Sequence, residues 1–242
     1  MKRSFLLFTL LVGLNTFSKA QNVGLSFSYF VPRNGYFSTP ISPFSIRGLG
    51  YNFGKHFGIQ TGATLYRMSG LNIIDLPIES KEPMLGPNFT LFVPAEFVFQ
   101  LKKRRVEFDV KAGGFFFYGF DQKLNSGNID RAIRTYNHWD VANSDLSFKN
   151  HPGFGKHFGA ELTYYVNNQF GISLEVNYLM GTAEIPMKGK YSGGTMAGPL
   201  STVNVDSDFK NAKVDFTGLE FSIGVILTGG SGAQKPKARR RR

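Results

Sequence analysis

Glu107, Asp109 and Lys111 follow one another at every second position, which places all three on one side of an extended chain. Glu96, Glu161, Glu175 and Glu220 sit in runs of the same alternating kind, each flanked by apolar neighbours. Carboxylates drawn together in an enclosed space repel, and water, a cation or a lysine must relieve them. Such a cluster serves as a structural polar plug, or alternatively as a proton-linked or cation-binding layer. Four histidines, His56, His138, His151 and His157, offer other chemistry, but no pair has the close spacing of a strong metal motif. A hydrolase needs a nucleophile within reach of an oriented base. His157, with Asp140, Ser144 and Asp145 in the preceding loop, is the available set, and no compact motif supports it. The expectation is therefore no catalytic residue, no metal and no cofactor.

What must position these residues is legible in the periodicity. Phe89 to Lys102 reads FTLFVPAEFVFQLK and alternates throughout. That is long for a soluble sheet, where about five or six residues is usual. It suits a tilted strand crossing a bilayer, which needs roughly 9–11 residues in the hydrocarbon. Seven further segments fit, at about 23–31, 45–53, 57–68, 106–119, 157–166, 170–180 and 214–227. Phe115-Phe116-Phe117-Tyr118 and Phe216-Thr217-Gly218 break the alternation and are read as bulges. Short connections follow segments two, four and six. Long ones, about 32–44, 69–88, 120–156 and 181–213, follow the others. Every short turn then lies on one side and every long loop on the other. The fold class is all-β, an eight-stranded antiparallel up-and-down transmembrane barrel with short periplasmic turns and long external loops. Aromatic residues near segment ends (Tyr51, Phe53, Phe57, Tyr66, Phe89, Tyr164, Phe170, Tyr178) read as interfacial girdles.

The ends of the chain differ from this body. Residues 1–20 carry Lys2 and Arg3, an apolar run and Ser18-Lys19-Ala20, the layout of a signal peptide. Residues 21–228 are the barrel domain. Residues 229–242 are a Gly-rich linker and a basic periplasmic tail, Lys235 to Arg242. The formal charge of +11 loses three with the leader and six in the tail, leaving a body near +2. The basic balance thus gives no case for nucleic acid. The chain has no cysteine, so no disulfide supports it.

The residues Phe92-Val93-Pro94-Ala95-Glu96, Gly159-Ala160-Glu161-Leu162-Thr163-Tyr164 and Phe170-Gly171-Ile172-Ser173-Leu174-Glu175 carry a loose resemblance. The chain resembles the small outer-membrane β-barrel domain proteins of Bacteroidota type, similar in architecture to the OmpA and OmpX barrels, with PorT-like barrels as a further relative. The resemblance implies the cell outer membrane as location. The residues themselves are read as serving a non-enzymatic structural or binding role through external loops, with no continuous pore. Two alternatives stay open: an accessory subunit of an outer-membrane secretion or assembly complex, and a lipid A or peptide hydrolase. Expected partners are outer-membrane lipid and lipopolysaccharide, and other outer-membrane or periplasmic proteins met by the loops or the basic tail.

Turn positions predict which charges meet. If Leu101 pairs with Val106, Glu96 lies opposite Lys111; if Val166 pairs with Phe170, Glu161 lies opposite Glu175. Glu96, Lys111, Glu161 and Glu175 then form one interior charged layer. Arg131, Arg134, Tyr136 and Trp139 in the longest loop are the external binding candidates. Arg47 and Arg67 are expected on the outward face near the external rim, meeting either lipid phosphates or water. The hexapeptide FGKHFG, at 53–58 and 154–159, spans a short turn in its first copy and closes a long loop in its second.

Overall fold

The computed structural model describes residues 22–39 and 45–228. The leader at 1–20 and the basic tail at 229–242 lie outside the described residues.

The strands are β1 (Asn22–Pro32), β2 (Gly35–Thr39), β3 (Ser45–Asn52), β4 (Phe57–Leu71), β5 (Ile73–Ile74), β6 (Asn88–Lys103) and β7 (Val106–Phe120). After helix α1 (Ser126–Asn137) come β8 (Val141–Phe148), β9 (Gly153–Tyr165), β10 (Phe170–Glu184), β11 (Met187–Gly194), β12 (Ser201–Asn204), β13 (Lys213–Asp215) and β14 (Gly218–Thr228). Eight of these, β1, β3, β4, β6, β7, β9, β10 and β14, pair antiparallel in chain order. β14 pairs with both β1 and β10, which closes the ring. Closure leaves no sheet edge within the ring to be satisfied by solvent. β2 extends the wall beside β4, and β13 joins β10 to β5 above the start of β14.

The alternation read from the sequence sets which side faces out. Phe27, Phe57, Phe97, Phe158, Leu174, Ile223 and Leu227 are exposed, while the residues between them on the same strands point into the lumen. An apolar outside around a polar inside is the arrangement of an outer-membrane-type barrel, and in water this surface would be untenable. The outward Phe97, 69% exposed and midway along β6, gives a direct test. Phe97→Arg should lower the unfolding free energy in phosphatidylcholine vesicles by about 2–4 kcal/mol. Urea titration measures it, and an unchanged midpoint would mean that this face does not meet acyl chains.

Several expectations are corrected. No bulge interrupts Phe115 to Tyr118: β6 and β7 pair without a shift through Phe92↔Phe117 and Pro94↔Phe115. Phe115 and Phe117 simply point inward. The break at Phe216-Thr217 is the gap between β13 and β14. The bulge that does occur lies in β3, between Ile46 and Leu49, where Gly48 takes φ 72°. The extra residue reverses the parity of what precedes it, so Arg47 points into the lumen and not to lipid. Tyr66, expected in a girdle, is buried inside as well. Arg67 lies exposed on the outer face. The second FGKHFG is wholly within β9 and does not close a loop.

The long connections are folded. α1 begins at Asn125, whose side chain accepts from the Asn128 N–H at 3.2 Å, and ends on His138 in the left-handed region at φ 55°. Its buried stripe, Ile129, Ala132 and Ile133, packs inward. β8, β11 and β12 form a separate three-stranded sheet beside it. Together they roof the loop-side end of the barrel. Beneath the roof an apolar core, including Met68, Leu85, Ile133, Ile185, Met187 and Phe209, fills the upper lumen.

Candidate functional site

The turn-side half of the lumen is polar. Lys111 on β7 is 2% exposed, and its Nζ lies 2.5 Å from Glu161 Oε2 and 3.0 Å from Glu175 Oε1. Glu161 and Glu175 are direct register partners on β9 and β10. Like charges so placed repel, and the ammonium supplied by the neighbouring strand offsets this. Arg47 approaches from the opposite wall. It donates from Nη1 to Glu175 Oε2 at 2.6 Å, from Nη2 to Glu220 and to Ser28 Oγ, and from Nε to Ser45 Oγ at 3.0 Å. Tyr66 donates its hydroxyl to Glu220, and Asn177 Nδ2 bonds Glu220 Oε2 at 2.7 Å and Glu175 Oε1 at 3.0 Å. The result is one chain of contacts, Glu161–Lys111–Glu175–Arg47–Glu220–Tyr66, crossing the lumen and linking six of the eight strands. Buried charges of this kind are tolerable only when every partner is present.

Glu96 stands apart from the predicted pairing. The turn after β6 is tighter than expected: Lys103 pairs with Val106, and Arg104, at φ 57°, makes the turn with Arg105. The register therefore moves by two, Glu96 lies opposite Gly113, and Lys111 opposite Val98. A shift of two leaves every side chain on its face, so Glu96 and Lys111 still point inward. Glu96 instead has His157 Nε2 at 3.6 Å. The imidazole, 1% exposed, sits near the rings of Phe92 and Phe115 at the boundary between the polar and apolar halves. Toward the turns, Glu107 holds Lys102 at 2.8 Å, Gln100 Nε2 at 2.6 Å and the Tyr165 hydroxyl at 3.0 Å.

Above the polar network an aromatic layer crosses the lumen. Phe216 stacks on Phe30 and on Phe117, each at 4.6 Å between ring centres, with Tyr66, Phe92 and Phe115 packed around it. All six rings are buried.

The loop candidates separate. Arg131, Arg134 and Tyr136 are exposed on α1. Trp139 packs edge-on against Tyr191 at 5.8 Å inside the roof and is part of its structure. The hydrolase set is not assembled around His157. Ser144 Oγ bonds Asp130, Asp140 accepts from the Met196 N–H, and Asp145 lies opposite Lys190 in the roof sheet. Among the described residues no group of three or more His, Asp or Glu side chains is placed to hold a metal ion. Arg47, Tyr66 and Asn177 are the lumenal residues that sequence reasoning missed. Only Gly48, directly after Arg47, hinted at the bulge.

No protein-family model matches the chain, and no curated protein matches it. Among solved structures it is similar to the outer membrane protein OprG from Pseudomonas aeruginosa, with 11% identity and a TM-score of 0.46 over 86% of this chain and 95% of that one. It is also similar to Ail, the attachment invasion locus protein of Yersinia pestis, with 11% identity and a TM-score of 0.36 over 85% and 94%. A major outer membrane protein from Thermus thermophilus shows 13% identity and a TM-score of 0.39 over 86% and 98%.

Proposed function

We propose that this chain is a non-enzymatic outer-membrane barrel that acts through its folded loop-side roof and does not conduct. The observation that carries the reading is the filled lumen: a bonded polar network on the turn side, six packed rings above it, and α1 with its sheet over the mouth. A narrow barrel filled by side chains has no room for a channel as well. Long connections that fold, where bare shielding would need only polar coil, make a rigid platform for binding. On that platform Met196 and Leu200, at the tip joining β11 to β12, are 91% and 71% exposed. They offer a partner apolar contacts on the roof. The short turns face the periplasm in this reading and the roof faces outward among lipopolysaccharide. The Bacteroidota-type affinity implied by the sequence motifs fits the same picture.

The experiment is conductance in planar bilayers. The refolded chain should give no stepwise currents above background in concentrated KCl. Reproducible porin-like steps from the unaltered protein would refute the filled-lumen reading.

A further inference from the structure

Between the turns and the strand tops, the outer wall of the ring carries charge at one level only. Along the outward faces of the described ring strands, Lys103 lies at a turn and Glu184 at the loop-side end of β10. The charges between those limits are Arg67 on β4 and Lys156 on β9, both exposed. Arg67 stands ten residues along from Phe57, the turn-side end of β4. Lys156 stands nine from Tyr165, the turn-side end of β9. A tilted strand spends roughly 9–11 residues in the hydrocarbon, so both cations reach its loop-side boundary, where headgroup phosphates lie. Below them the same faces carry Phe57, Ile59 and Leu65 on β4, and Phe158, Leu162 and Tyr164 on β9. The wall around Lys156 is neutral. Phe154 and Phe158 flank it along β9, and its register partners are Gly114 on β7 and Met180 on β10. The next outward positions are Ala112, Phe116, Tyr178 and Thr182, so no carboxylate faces its ammonium from either adjacent strand. Arg67 has Phe89 of β6 opposite it, stacked with Phe120 at 5.7 Å. Both charges in this band are positive, and a cation at the surface of an anionic leaflet is drawn to its phosphates.

We propose that Lys156 and Arg67 each hold the headgroup phosphate of an outer-leaflet glycolipid. A lysine stem is long enough to lie on an apolar wall while its head reaches the polar layer. The guanidinium at the second position presents a fork of donors that matches phosphate oxygens. β6 and β7 lie between β4 and β9, so the two cations face different lipid molecules. The inference rests on the reading above in one respect, that the roof side of the barrel faces outward.

The test titrates phosphorylated lipid A, and separately the same lipid freed of phosphate, into the full chain folded in neutral detergent. Native mass spectrometry counts the bound lipid. The unaltered chain should retain the phosphorylated form about fivefold more tightly or better. Lys156→Gln, at an exposed position, should weaken that retention about fivefold, and Lys156→Arg should keep it. Lys103→Gln, an exposed cation at the turn side, should leave it unchanged. Equal retention of the two lipids overturns the site, because acyl chains alone then account for binding. So does an equal loss in Lys103→Gln, because any surface cation then serves. Retention untouched when Lys156→Gln and Arg67→Gln are combined overturns it as well. Orientation is read separately. Ala197→Cys, at the exposed roof tip of a chain with no cysteine, should react with a membrane-impermeant maleimide on intact cells. Labelling only after lysis would reverse the barrel and take both cations out of the outer leaflet. A failed titration with surface labelling intact overturns the phosphate contacts and leaves the roof reading standing.

Discussion

Replacing Arg47 with Ala should destabilise the barrel by about 3–5 kcal/mol, the cost of removing one partner from a buried ion pair and leaving the others behind. Arg47 is the only described cation within ion-pair distance of Glu220, and with Lys111 one of two at Glu175. Both carboxylates are essentially excluded from solvent, and their remaining neutral donors, Tyr66 and Asn177, cannot replace the charge. Ser28 and Ser45 lose a donor as well. Urea unfolding followed by the single tryptophan, Trp139, and by the heat-dependent shift in gel mobility would measure the loss. Combining Arg47→Met with Glu175→Gln and Glu220→Gln removes the orphaned charges and should regain most of it, because Lys111 keeps Glu161. A loss below about 1 kcal/mol for Arg47→Ala would place the pair in the range of exposed ion pairs and show a wet lumen.

Arg47 also marks where sequence reasoning stopped. Strand identity and facing were legible because a period of two is robust: the carboxylates predicted inward do point inward, even where the β6–β7 register is displaced by two. Glu161 opposite Glu175 follows from a three-residue turn at Asn167-Asn168-Gln169 whose length admits little choice. A bulge is different, since one inserted residue inverts every assignment on one side of it. It rests on the left-handed backbone that Gly48 takes, φ 72°, and on the pairing with β4, which no single-strand pattern contains. The roof was missed for another reason. Ile129, Ala132 and Ile133 have helical spacing, but over so short a stretch the signal is faint. What stabilises α1 is burial against residues far away in the chain. The candidate site was legible as a set of charges and illegible as a network, because Tyr66 and Asn177 carry no charge to announce them.

The second large effect is expected at Phe216. Truncation to Ala should cost about 3–5 kcal/mol, the range for a fully buried phenylalanine, because the surrounding wall is a hydrogen-bonded ring that cannot collapse into the space. The residue is placed by a break in the strand. The Asp215 N–H bonds Asn72 O at 3.0 Å, the Phe216 N–H bonds Gly181 O at 2.9 Å, and Thr217 O accepts from Arg33 at 2.7 Å, so backbone on both sides fixes the ring on the axis. Its stacks on Phe30 and Phe117 add about 0.5–1.5 kcal/mol each beyond area alone. Phe221 is the control: it lies shortly after, within β14, and faces outward, 44% exposed. Phe221→Ala should cost clearly less in lipid vesicles, since acyl chains fill the space that the ring leaves. The same ring separates the two halves of the lumen, and Tyr66 joins them, its hydroxyl on Glu220 and its ring 6.2 Å from Phe216. Phe216→Ala should therefore admit water to the layer and speed hydrogen exchange at the inward Leu179 amide, while exchange at Phe97 stays slow. Equal stability losses for Phe216→Ala and Phe221→Ala would mean that the aromatic layer is not the close-packed seal on which a non-conducting barrel depends.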